Sequence, residues 1–102
     1  VCLLVDDMID TAGTICQAAA ALREHGAAQV IAAATHPILS GPAAKRLNAS
    51  AFEEVIVTNT LPIRDDLHIP KLTVLSIAPL LAKAIQEVFV DGSVTSLFDG
   101  VE

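Results

Sequence analysis

The sequence predicts an α/β domain of three layers, a mostly parallel sheet with helices on both faces. Two observations carry this. Apolar residues alternate along the chain between the runs of buried strands and the 3.6-residue spacing of amphipathic helices. The composition, 53% hydrophobic and 18% charged over 102 residues, is that of a chain with a core to bury. This length reads as one domain, residues 1–102, with residues 91–102 as a tail segment.

Val1-Cys2-Leu3-Leu4-Val5 is a continuous apolar run, as in a strand buried on both faces. From Thr14, residues Ile15, Ala18, Ala19 and Leu22 recur at helical spacing, and Gly26 follows as a helix-ending glycine. Residues 29–35 read as a second strand, weakened by Ala32, Ala33 and Ala34. Ser40-Gly41-Pro42 reads as an N-cap with proline in the first turn of a short helix reaching about Leu47. Glu54–Thr58 is a third strand and Leu72–Leu75 a fourth. Ser76 caps a last helix whose apolar positions are Ile77, Leu80, Leu81, Ala84, Ile85, Val88 and Phe89. Pro79 lies in its first turn, where no N–H is needed. The order is βαβαββα, with Asn59–Pro70 as a loop. Residues 91–102 read as a turn plus a short strand, or a disordered end.

A net charge of −6 argues against a nucleic-acid backbone as partner, which needs a basic face. Three Phe without Trp or Tyr make a poor platform for stacking bases. No apolar run approaches the ~20 residues of a membrane span. Cys2 and Cys16 make no disulfide framework and read as buried thiols of a cytoplasmic protein. Val1 opens the chain inside an apolar run, which points to a piece of a longer protein.

Ligands of open parallel sheets bind beyond the carboxyl ends of the strands. There the first strand–helix junction reads Val5-Asp6-Asp7-Met8-Ile9-Asp10-Thr11-Ala12-Gly13-Thr14. Small residues admit a ligand close to the backbone, and N–H groups and Thr hydroxyls at a helix start suit a phosphate. Carboxylates repel a phosphate, so Asp6 and Asp7 suit sugar hydroxyls, and Asp10 suits the N–H groups of its own turn. A phosphorylated sugar fits this mixture best. A plain capped loop and an acidic receiver-type or metal pocket are the alternatives.

The same junction resembles the phosphoribosyl-binding loop of the type I phosphoribosyltransferase fold. Three further stretches resemble, in order, landmarks of the ribose-phosphate pyrophosphokinase family: Ala34-Thr35-His36-Pro37-Ile38-Leu39-Ser40-Gly41-Pro42-Ala43, Val57-Thr58-Asn59-Thr60-Leu61-Pro62 and Ser93-Val94-Thr95-Ser96-Leu97-Phe98. The resemblance implies the C-terminal phosphoribosyl-binding domain of a longer enzyme. That enzyme transfers the diphosphoryl group of ATP to ribose 5-phosphate, yielding phosphoribosyl pyrophosphate and AMP for nucleotide biosynthesis. By the resemblance, Asp6 and Asp7 hold the ribose hydroxyls, and Asp10, Thr11, Ala12, Gly13 and Thr14 cradle the 5-phosphate. Ala12 stands where many relatives have Gly, which narrows the allowed backbone angles. Ser93 and Phe98 match an allosteric site between subunits. The family's ATP site, Mg²⁺ ligands and basic loop lie upstream of this stretch. The resemblance thus implies a chain inactive alone, in a homo-oligomer of the hexamer-of-dimers type, with no metal ligand, nucleic acid or membrane partner of its own. A base phosphoribosyltransferase and a non-catalytic regulatory homologue are the alternatives.

The remaining polar residues read more simply. His36 belongs to loop packing or the edge of the site, and His25 and His68 to the surface. Cys16 fills a small core position. Asp65-Asp66 is a solvated pair, and Lys45-Arg46 is too small a cluster to bind nucleic acid.

Overall fold

The structure, a computed structural model, describes residues 1–90. Its elements are β1 (Cys2–Ile9), α1 (Gly13–Glu24), β2 (Val30–Pro37), α2 (Ala43–Asn48), β3 (Glu54–Thr58), β4 (Leu72–Leu75) and α3 (Ala78–Phe89). This is the predicted order of an α/β chain. The strands form one sheet, β1-β2-β3-β4, with every neighbouring pair parallel. The candidates Ser93 and Phe98 and the tail lie outside the described residues.

Side chains alternate across the strands, and the alternation decides the core. Val30, Ala32 and Ala34 of β2 and Val55 and Val57 of β3 are buried on one face. Ala19 of α1 and Ala43 and Leu47 of α2 join them in one cluster. The opposite face carries Leu3, Val5, Ile31, Ala33 and Ile56, with Val5 74% exposed. The strand order explains the asymmetry. Parallel crossovers are right-handed, so a sheet that grows steadily from β1 to β3 places α1 and α2 on the same side. Covering the other side needs a strand order that reverses. Among the described residues, two layers pack together, and α3 has no buried residue.

The local signals place most boundaries. Gly26 takes φ 101° after α1, and the N–H groups of Ala27 and Gly26 donate to the carbonyls of Leu22 and Arg23. This pair of bonds is the glycine-terminated Schellman motif. The Ala78 N–H donates to Ser76 Oγ at 3.1 Å, and the Ile77 N–H to Asn59 Oδ1 at 2.9 Å, tying the start of α3 to the end of β3.

Several boundaries differ from the expectation: β2 runs on to Pro37, two residues past its expected end, and α3 starts at Ala78 with Ile77, not Ser76, in the N-cap position. β1 continues to Ile9, so Asp6 and Asp7 lie within the strand, because pairing with β2 persists from Asp6↔Ala34 to Ile9↔Pro37. Ser40 does not cap α2, which starts at Ala43 without a side-chain cap; its hydroxyl instead donates to the Asp10 carboxylate.

Candidate functional site

The turn between β1 and α1 lies at the carboxyl end of the sheet. Its shape is set by Ala12, which adopts the left-handed conformation with φ 67° and ψ 10°. Helix α1 starts at the next residue without a side-chain cap, and its first bond runs from the Cys16 N–H to the Ala12 carbonyl at 3.2 Å. Neither Asp10 nor Thr11 therefore acts as an N-cap. The N–H groups of Thr11, Ala12, Gly13, Thr14 and Ile15 have no acceptor among the described residues. Successive N–H groups around a left-handed residue form a concave nest, and the helix dipole adds partial positive charge there. The hollow they border measures ≈ 160 Å³, several times the ~30 Å³ share of one water.

Six of the seven predicted binding residues line this hollow: Asp6, Asp10, Thr11, Ala12, Gly13 and Thr14, together with Met8, Ile9 and Ile15. Asp7 does not, because strand alternation turns it to the face opposite Asp6. Its N–H donates to Asp6 Oδ1 at 2.8 Å, and both carboxylates are exposed.

A second loop, between β2 and α2, clamps the turn. The N–H groups of Ile38 and Leu39 both donate to the Ile9 carbonyl at 3.0 Å. The Ser40 N–H reaches the Asp10 carbonyl at 3.0 Å, beside the bond from the Ser40 hydroxyl to the Asp10 carboxylate. Leu39 takes φ 53° and Gly41 φ 57° to bring this loop across. Asp10 thus answers Ser40, thirty positions away, and not the N–H groups of its own turn. From α2, Arg46 Nη1 donates to the Thr11 carbonyl at 3.2 Å. Ser40 and Arg46 are the contributors sequence reasoning overlooks. Ser-Gly-Pro before a helix is an equally good cap signal, and a Lys-Arg pair on a short helix carries no motif.

Other candidates fall into place nearby. His36 is half-buried on β2, with Nδ1 2.8 Å from Thr60 Oγ1, and the Thr60 and Thr58 hydroxyls both donate to the Thr35 carbonyl. These bonds tie the ends of β2 and β3 together. His25 and His68 are exposed. Cys16 lies beside a hollow of ≈ 650 Å³ between α1 and α2 that Arg46 and Ser50 also line. Burial pushes its thiol pKa up, against the opposing pull of a Ser50 hydrogen bond and of Arg46 and Lys71. Among the described residues, no three His, Cys, Asp or Glu side chains converge as a group that could hold a metal ion. No described helix is long and apolar enough to cross a membrane.

Fold and site together define a parallel α/β domain with an amide-lined candidate anion site at its first strand–helix turn. The family model described as the phosphoribosyl synthetase-associated domain matches residues 1–99, and the chain belongs to that family. It is 64% identical over 99 residues to the ribose-phosphate pyrophosphokinase of Streptomyces coelicolor, spanning 97% of this chain and 31% of the relative. It is likewise 64% identical to the enzyme of that name from Mycobacterium tuberculosis, covering 30% of its length. The crystal structure of phosphoribosylpyrophosphate synthetase from Mycobacterium smegmatis superimposes with a TM-score of 0.84 at 62% identity, over 89% of this chain and 30% of that one.

Proposed function

We propose that this chain is the ribose 5-phosphate-binding part of a ribose-phosphate pyrophosphokinase. The observation that carries the reading is the run of five unbonded N–H groups, Thr11 to Ile15, around left-handed Ala12. Such a nest supplies neutral donors for the 5-phosphate, and Asp6 beside it accepts hydrogen bonds from ribose hydroxyls. The names and identities of the relatives support the same substrate.

In this reading the C1 hydroxyl oxygen of ribose 5-phosphate attacks the β-phosphorus of ATP. The bond from that phosphorus to the α–β bridging oxygen breaks, AMP leaves, and the hydroxyl proton is lost. The turn contributes orientation, which is a large part of catalysis in phosphoryl-type transfer. Charge stabilisation is its weak side: the chain carries 12 acidic against 6 basic residues, and Arg46 is spent on the backbone. In this reading, which follows the family resemblance, metal and ATP are held elsewhere in the enzyme and the 102-residue chain alone is inactive. A cytoplasmic homo-oligomer is the setting this reading implies.

The test is a titration of the full-length protein carrying this chain with ribose 5-phosphate, followed by heat and by the amide shifts of residues 11–15. Those amides are expected to respond to ribose 5-phosphate and not to ribose. Asp6→Asn is expected to weaken binding without lowering the melting temperature. Silence of these amides at saturating phosphosugar removes the reading.

A further inference from the structure

We infer that Arg46 is a positioning residue for the phosphosugar cradle, reaching from α2 to fix the peptide plane between Thr11 and Ala12; this rests on the ribose 5-phosphate reading above. Its Nη1 donates to the Thr11 carbonyl at 3.2 Å. The peptide is trans, so its C=O and N–H point to opposite sides. Arg46 lines the hollow between α1 and α2 but not the cradle. The bond therefore turns the Thr11 carbonyl away from the phosphate and leaves the Ala12 N–H free to face it. Without that bond, an unpaired carbonyl beside an anion site is free to rotate inward, replacing a donor with a repelling acceptor.

A second contact shows how closely the guanidinium lies on the turn. A Cβ at Gly13 would meet Nη1 at 3.0 Å and Cζ at 3.7 Å. Glycine at 13 is thus what lets α2 approach the loop, in addition to any need of the ligand. Ala43 and Leu47 are both fully buried, so α2 is held in the core at two points and the arginine stem starts from a fixed position. A planar guanidinium can lie along the backbone and donate in its own plane, which a lysine ammonium cannot reproduce. Arg46 also sets a positive charge against a turn whose hollow is flanked by Asp6 and Asp10, offsetting part of the repulsion a phosphate meets.

The test compares Arg46→Met, which keeps the stem, with Arg46→Lys and wild type in the full-length protein. Leu47→Ala serves as a variant that loses packing alone. Readouts are KM for ribose 5-phosphate, kcat, the inhibition constant of inorganic phosphate as competitor, and the melting temperature. Removing a hydrogen bond from a charged donor is expected to raise KM and the phosphate constant about tenfold in Arg46→Met, with kcat within about twofold. Arg46→Lys is expected to fall between. Wild-type KM and phosphate inhibition in Arg46→Met overturn the inference, as does a fall in kcat with KM unchanged. A lowered melting temperature with wild-type KM, the pattern expected of Leu47→Ala, assigns Arg46 to packing and overturns it too. The two readings separate in wild type. Absent phosphosugar binding at residues 11–15 removes the ribose 5-phosphate reading itself, whereas normal binding with an unaffected Arg46→Met removes only the role of Arg46.

Discussion

Ala12 is the residue on which the cradle turns, and its replacement tests that geometry directly. At φ 67° an L-residue carries a cost of about 1–2 kcal/mol that glycine does not. Ala12→Gly releases that strain but removes the methyl group of a buried residue, worth about 0.8 kcal/mol. It also frees the unfolded chain, at a cost of about 0.4–1 kcal/mol. The opposing contributions nearly cancel, so Ala12→Gly is expected to change stability by no more than about 0.5 kcal/mol, or about 2–4 °C in melting temperature. Ala12→Val behaves differently, because a β-branched side chain is an outlier in the left-handed region. It is expected to cost about 2 kcal/mol more than Ala12→Gly, or to force residue 12 out of that region and abolish phosphosugar binding. Thermal denaturation followed by circular dichroism, with a ribose 5-phosphate titration of each variant, measures both outcomes. If Ala12→Val melts and binds like wild type, residue 12 need not be left-handed and the nest cannot explain binding.

For the tie between Asp10 and Ser40, Asp10→Ala and Ser40→Ala are each expected to cost about 1 kcal/mol; a double-mutant cycle should show coupling of similar size, and strict additivity would deny the tie. Leu47→Ala empties a fully buried site between α2 and the sheet and is expected to cost about 2–5 kcal/mol by urea denaturation, with phosphosugar affinity kept in the folded fraction. Burial holds the Cys16 thiol above its ordinary range, which favours the neutral form in the folded state. The stability it contributes is therefore complete below the unfolded thiol value of about 8.5 and is lost as pH rises through the raised folded value. Iodoacetamide at pH about 8.5 should label Cys16 more slowly in the native protein than in urea, and equal rates would contradict the burial effect.

What the sequence makes legible here is local. Glu54–Thr58 and Leu72–Leu75 can be read residue for residue, because each is a short apolar and β-branched run between turn formers. Gly26 likewise announces the end of α1 through the one backbone conformation that favours it. The features that escape depend on partners far along the chain. Asp6 and Asp7 are poor strand formers, and only the ladder to residues 34–37 keeps them extended. Ser40 carries the local signature of a cap, yet Asp10 claims its hydroxyl. The expected cover on both faces depends on strand order, which no local period encodes; the steady β1-to-β4 progression leaves Leu3 and Val5 exposed among the described residues. Of the site, residue types and spacing reveal the loop, while Arg46, the residue that braces it, carries no signal before the fold brings α2 alongside.

The acidity of the chain and its candidate phosphate site are compatible because the two rest on groups of different range. Asp6 and Asp7 are exposed, where the high dielectric of water weakens their repulsion of a neighbouring anion. The amides of residues 11–15 act at hydrogen-bond distance, fixed by covalent geometry, and need no ionised group to attract an anion. Asp10 is occupied by Ser40, which draws its carboxylate toward the β2–α2 loop. The turn can therefore keep carboxylates for hydroxyl groups and peptide dipoles for phosphate within one stretch of nine residues, Asp6 to Thr14. A cation-lined pocket would bind phosphate more strongly but would also pair with Asp6, consuming an acceptor a sugar needs. Placing Arg46 behind the peptide plane avoids that competition: it holds the backbone beside the candidate anion site and does not pair with Asp6.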